Sequence, residues 1–364
     1  MPTKAPRLPR GSIPLAAFVA VSIALLLAFA PAWHVPKNAA GALALTAPLP
    51  QNVPPDTVLR VGDPVSKWIF QHNGWDKTLP FKIEWAEITG GPDTTEAFHA
   101  GALDVGLGAN VPPIHADWAG IPVRIVAFRH FPDNAHKAAW VFGISPTSGI
   151  HNIADFKGKR IAFSPSQVQA QVVLETLKAA GIDRKDVTLV ELPSSIGGDV
   201  YTSALASGEI DAAPLGAGVV AERYLTKFGD RGARLLPHPP FRDDGAVVYV
   251  PETVLADPAK AAALRTYIQY WGRGQAWANA HPEELAEGYY AGVRGLPLKD
   301  ARVQVDALGP AALPRDWTAA VAFQQAAIDI LAPATGRPVF DAARLFDRRF
   351  ETIAADAAAK GGRA

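Results

Sequence analysis

Cysteine is absent from all 364 residues. That excludes disulfides, thiolate metal sites, a cysteine nucleophile and lipid attachment through an N-terminal cysteine. Net charge is absent too, since 35 Lys and Arg balance 35 Asp and Glu. A nucleic-acid-binding chain would show a basic excess, so nucleic acid is not an expected partner. Charged residues make up only 19% and hydrophobic ones 49%, which excludes intrinsic disorder. There is no Gly-x-Ser-x-Gly elbow and no phosphate-binding P-loop. The nine histidines form no His-x-x-x-His pair and no tight cluster with carboxylates, so neither a metal nor a cofactor is expected. Two or three globular units are expected at roughly 100–200 residues each.

Long apolar runs are lacking except at the start. Lys4, Arg7 and Arg10 precede an uncharged stretch from Gly11 to Trp33, with Leu25-Leu26-Leu27 just past its midpoint. Residues 1–33 read as a secretory signal peptide or, given their length, an N-terminal membrane anchor. Ala28-Phe29-Ala30 is a small-x-small cleavage site, but Pro31 comes directly after it; Ala42-Leu43-Ala44 is cleaner and lies farther on. Residues 34–56 are rich in Pro and Ala and read as a linker. The working part of the protein is therefore expected outside the cytoplasm.

Beyond the linker the chain alternates strand and helix. Val58–Gly62, Ile83–Ile88, Asp104–Leu107, Val123–Phe128 and Ala138–Gly143 read as strands, and Arg160–Phe163 restarts the cycle. Asp93–Ala100 reads as a helix capped by Asp93 and closed by Gly101, and Ser166–Ala180 as a patterned helix closed by Gly181. This alternation predicts parallel sheets flanked by helices. The chain also repeats itself. Ala97-Phe98-His99-Ala100-Gly101-Ala102-Leu103-Asp104 matches Ala204-Leu205-Ala206-Ser207-Gly208-Glu209-Ile210-Asp211 in an Ala-x-x-x-Gly-x-x-Asp pattern. Arg60-Val61-Gly62, leading to Ser66, matches Arg160-Ile161-Ala162, leading to Ser166. Both matches recur in the same order, which predicts two similar α/β lobes.

Ligands of open α/β sheets bind beyond the carboxyl ends of the strands, where helix starts present unpaired N–H groups that suit an anion. Ser66, Asn110, Ser164, Ser166 and Gln167 stand on such loops as neutral hydrogen-bonding groups. Each serine also fits a plain helix cap. Arg129 ends a strand where it could pair with a sulfonate or carboxylate, or lie on the surface. Trp68 could wall the cleft or pack in the core.

Thr89-Gly90-Gly91-Pro92-Asp93-Thr94-Thr95-Glu96, Asn110-Val111-Pro112-Pro113 and Asp155-Phe156-Lys157-Gly158-Lys159, together with the signal and the doubled lobes, resemble the periplasmic substrate-binding proteins for aliphatic sulfonates, taurine and nitrate. The resemblance runs from about Leu59 to Tyr224. It implies a type II periplasmic binding protein fold: lobe 1 over 57–143, lobe 2 over 144–244, and a return to lobe 1 over 245–364 with C-terminal helices. The crossings are expected near Trp140–Ser145 and Gly245–Pro251, where Ala246–Val250 is strand-like. The implied function is binding a small organic anion, without catalysis, for an ABC importer; the partners are its permease and ATPase, and the receptor is a monomer. Ser66, Trp68, Asn110, Arg129, Ser164, Ser166, Gln167 and Gly216 are the ligand-binding candidates. The chain departs from the family after Asp211: Ala212-Ala213-Pro214-Leu215-Gly216 stands where a tryptophan is common, which opens the cleft. Two alternatives remain. An aromatic-sulfinate desulfinase shares the resemblance, but it uses a cysteine and an Arg-x-Gly-Gly motif. Here Thr89-Gly90-Gly91 lacks the arginine. A membrane-tethered sensor module is the other, if the N-terminal segment is retained.

Overall fold

The structure is a computed structural model that describes residues 41–361 except 89, 136, 194–198 and 308. The expected signal or anchor, 1–33, lies outside the described residues. From Ala42 onward the expected linker is docked. Leu43 N donates to Ala256 O at 2.8 Å, Arg349 holds Ala47 O at 2.8 Å, and Leu45, Leu49 and Val53 pack on the core. The Pro/Ala-rich composition misleads because apolar side chains between the prolines give this stretch something to bury.

The strands form two five-stranded sheets. The first comprises β1 (Val58–Gly62), β2 (Lys82–Trp85), β3 (Val105–Ala109), β4 (Val123–Arg129) and β10 (Ala246–Pro251), in the order β2-β1-β3-β10-β4. The second comprises β5 (Trp140–Ile144), β6 (Arg160–Phe163), β7 (Thr188–Glu191), β8 (Ala212–Gly216) and β9 (Arg234–Leu236), in the order β7-β6-β8-β5-β9. Each sheet has the same plan: parallel neighbours plus one antiparallel strand, β10 or β5, that enters after a crossing. The first crossing leads directly into β5. Trp140–Ile144 pairs with β8 and β9, so this strand is part of the second sheet.

The helices that matter for the cleft are α1 (Pro64–His72), α2 (Gly91–His99), α3 (Val111–Trp118), α4 (Val168–Ala179), α5 (Asp199–Ser207) and α6 (Val219–Phe228). Then come α7 (Pro258–Ala280), α8 (Leu298–Asp306), α9 (Thr318–Thr335) and α10 (Ile353–Gly361). Among the described residues no helix is long and apolar enough to cross a membrane. Trp271 on α7 and Trp317 before α9 are among the largest fully buried side chains, so the C-terminal helices complete the lobe 1 core.

The repeat has a concrete structural basis. In lobe 1 the Arg60 backbone N and Nε both donate to Asp104 Oδ2, at 2.9 and 3.2 Å. In lobe 2 Arg160 repeats this on Asp211 Oδ2, at 2.8 and 3.1 Å. Gly101 and Gly208 hold φ of 63° and 75°, the left-handed turn that brings each aspartate under its arginine. Burial opposes ionisation of Asp211, but its Arg160 contacts outweigh it and hold the carboxyl below the ordinary range.

The connecting segments between the lobes are tied to each other by one carboxylate. Asp243, in the second crossing, accepts from Asn134 Nδ2 at 2.6 Å, from the amides of Ala139 (3.1 Å) and Trp140 (2.8 Å) in the first, and lies 3.0 Å from His238 Nε2. Next to it the buried Asp244 accepts from Phe131 N and Arg242; burial raises its carboxyl pKa.

Candidate functional site

A helix start leaves N–H groups without partners unless a side chain caps them. In α1 and α7 that need is met: Asp63 accepts from Ser66 N, and Asp257 accepts from Ala259 N and Lys260 N. At the starts of α2, α4 and α6 the N-cap residue itself, Gly90, Gln167 or Gly218, supplies no capping side chain. All three border one cavity of about 310 Å³, through Gly90 and Gly91, through Gln167, Val168 and Gln169, and through Val220. The first comes from lobe 1 and the other two from lobe 2. The first turn of α4 has no acidic residue, whereas α2 and α6 carry Asp93 and Glu222 there. The start of α4 therefore offers an anion the most favourable field.

The rest of the cavity is mainly apolar: Pro112 from α3, Trp140 at the head of β5, and Pro214, Leu215 and Gly216 at the end of β8, with Tyr201 from α5 the polar exception. The lobes meet tightly beside it. A Cβ on Gly91 would lie 3.0 Å from Pro112 Cγ and 3.0 Å from Ser166 O. Glycine is required here by the close approach of another backbone.

Of the residues expected from sequence, Gln167 and Gly216 line this cavity. Ser166 is half-buried beside Gly91 and does not cap α4, which begins two residues later with Gln167 as its N-cap. Ser164 is buried one layer behind; its Oγ donates to Leu192 O and contacts the hydroxyl of Tyr201, both at 2.5 Å. Tyr201 is the residue that reaches the cavity, and burial pushes its phenol up to about 12 against the opposing Ser164 bond. Asn110 is fully buried between Ala109 and α3, and its amide donates across the lobes to Gln171 Oε1 on α4 at 2.8 Å. Gln324 on α9 adds a bond to Asn110 O at 2.6 Å. Asn110 thus joins the lobes.

The other candidates lie elsewhere. Ser66 is bound through N and Oγ to Asp63, at 3.0 and 2.5 Å. Trp68 stacks on His72 at 4.6 Å and packs against Trp277 and Tyr289, so its aromatic partners are lobe 1 side chains. Arg129 donates to Gln275 Oε1 in the interior of lobe 1, where burial lowers its pKa against the pull of Asp63. Sequence reading passes over Trp140, Tyr201 and Gly91 as wall residues. The one signal for them is local: Gly90-Gly91 before a helix start, with no capping side chain.

The family described as NMT1/THI5 like matches residues 71–285, and the chain belongs to it. A protein of Escherichia coli (strain K12), named as a candidate aliphatic sulfonates-binding protein, is 28% identical over 201 residues. That match covers 53% of this chain and 61% of the relative, so the chain spans about six tenths of that relative's length. Among solved structures, the alkanesulfonate-binding protein SsuA from Xanthomonas axonopodis pv. citri bound to MOPS is 22% identical with a TM-score of 0.64, covering 82% of this chain and 99% of that one. The periplasmic aliphatic sulphonate binding protein SsuA from Escherichia coli is 22% identical with a TM-score of 0.65 and the same coverage. An enzyme shares the fold: DSZB in complex with biphenyl-2-sulfinic acid has a TM-score of 0.56 at 16% identity, covering 82% of this chain and 99% of that one. These likenesses show the fold of a periplasmic binding protein.

Proposed function

We propose that the chain is the extracytoplasmic receptor of an ABC importer and binds a small organic anion of the aliphatic sulfonate type. One observation supports the reading: three helix starts from both lobes, none capped by the side chain of its own N-cap residue, meet at a cavity that is otherwise mainly apolar. Backbone N–H groups and aligned dipoles stabilise an anionic head there without an unpaired cation being buried. Trp140, Pro214 and Leu215 then cover a short apolar body. Relatives named for binding sulfonates support the class of ligand. The basic, then apolar, first 33 residues support a place in the periplasm, and the permease and ATPase of the importer are the partners this role requires.

The alternative is an enzyme, since DSZB shares the fold. A thiol-based desulfination is ruled out by the lack of any cysteine in the sequence. Thermal unfolding of the purified chain with alkanesulfonates, taurine, nitrate, carboxylates and aromatic sulfinates tests both readings. A sulfonate at about 100 times its dissociation constant should stabilise the fold by about 2.7 kcal/mol. Sulfonates that leave the melting temperature unmoved, or turnover of a sulfinate, would sink the receptor reading.

A further inference from the structure

Beside the first cavity, and sharing Val220 with it, lies a second of about 650 Å³. Val65 and Leu107 of lobe 1, Val220 of lobe 2, and Tyr290 and Leu296 from the stretch after α7 are half-buried around it. Half-buried apolar side chains that converge on one hollow from two lobes suit an apolar ligand group that covers them. The charged residues of the lining call for no ion. Asp63 accepts from Ser66 N and Oγ and, at 3.4 Å, from Tyr267; Arg223 pairs with Asp300 on α8 at 2.7 Å; Lys227 and Arg294 are exposed to water.

The backbone that carries the tyrosine there is unusual. Leu285–Val293 is a π-helix of nine residues, a conformation that is rare and favours functional sites. Trp68 braces it from behind. Gly288 lies so close to Trp68 that a Cβ would overlap the indole, and the Trp68 ring packs on Tyr289 at 6.3 Å. Tyr289 meets Tyr290 edge-on, at 5.0 Å and 76°, and both line the cavity.

We propose that the solute is an alkanesulfonate whose far end carries an aromatic ring, with the ring in this second compartment against Tyr290. Tyrosine walls favour an aromatic group over a plain chain, because ring pairs attract beyond the area they bury. The sulfonate stays at the helix starts of the first cavity, and the aliphatic neck passes Val220, which borders both compartments. This rests on the first cavity being the sulfonate pocket.

The test is calorimetry on the purified chain with ω-phenylalkanesulfonates of increasing linker length against n-alkanesulfonates of equal carbon number. At the best linker length the ring should add about fivefold in affinity, the scale of one aromatic pair. Tyr290→Ala should remove most of that gain and Tyr290→Phe should keep it, with circular dichroism and the melting temperature checking both folds. The wild-type series decides by itself if Tyr290→Ala does not fold. A ring that gains nothing over the straight chain at every length overturns the proposal and leaves the sulfonate reading standing. A gain that persists in folded Tyr290→Ala overturns it too, because the ring then sits elsewhere. Phenylalkanoates that bind while every sulfonate is inert overturn the sulfonate reading, and the proposed solute with it.

Discussion

The two lobes fasten their strands alike and differ in what surrounds the fastening. Arg60–Asp104 and Arg160–Asp211 have matching contacts, but Asp104 takes a second cation, Lys260 from α7, at 2.8 Å. The Asp104 side chain is 4% exposed and that of Asp211 13%. Lobe 1 has thus drawn α7, from its second stretch of chain, into the junction, whereas lobe 2 keeps the plain repeat. Both junctions lie at the entry ends of the strands, away from the cleft. The most recognisable repeat therefore records how a lobe is held together, and says nothing of what the protein binds.

The largest expected effect tests that asymmetry. Asp104→Ala strands two cations and should destabilise by about 3 kcal/mol, toward the range for breaking a buried pair. Asp211→Ala, more exposed and with one cation, should lose about 1–2 kcal/mol. Urea unfolding of both variants decides; equal losses would remove the distinction between the lobes. A comparable effect is expected at the cleft. Gly91→Ala puts a methyl against Pro112 and Ser166 O, so the lobes should close less well at about 1–3 kcal/mol. Ligand affinity should fall with little change in melting temperature, and the reverse pattern would place the strain inside lobe 1.

Smaller effects are expected where the lobes join. Asn110→Ala and Gln171→Ala should each weaken that join by about 1 kcal/mol. In a double-mutant cycle they should be non-additive; strict additivity would mean that the 2.8 Å contact has no energetic role. The smallest concerns acid. Asp211 has its folded pKa lowered, so its contribution is present above the unfolded aspartate value and is lost as pH falls through the lowered folded value. Asp211 is partly exposed, so screening keeps this below about 1 kcal/mol. Asp211→Asn should flatten the acid limb of a urea-midpoint profile, and an unchanged slope would contradict the assignment.

Much of the architecture is legible because its determinants are local. Gly-x-x-Asp turns and strand–helix alternation predict the doubled lobes, and the strand-like run Ala246–Val250 is indeed a strand after the second lobe. Sheet membership is less legible: Ala138–Gly143 reads as a strand, but the partners of Trp140–Ile144, β8 and β9, lie far along the chain. The site is harder for the same reason. Tyr201, Trp140 and Pro112 meet through tertiary packing. Ser164 stands out in the sequence for a chemistry that its own neighbours absorb, Leu192 and Tyr201, and Asn110 spends its amide N–H on Gln171 while its Oδ1 stays buried without a partner. The serines read as caps, yet α1 is capped by Asp63, and α4 starts at Gln167 with no capping side chain.

The Asp243 carboxylate has a mechanical consequence. It grips Asn134, Ala139 and Trp140 on one connecting strip while belonging to the other, so the strips cannot slide past each other without breaking several bonds at once. Shear is thereby resisted, and rotation about an axis through the pinned pair is the softer motion. Trp140 is held by its amide at that axis and also borders the cavity between the sheets. If the lobes swing about that axis, as the proposed receptor role requires, this side chain travels least and the indole serves as a fixed jaw against which the rest of the cleft moves.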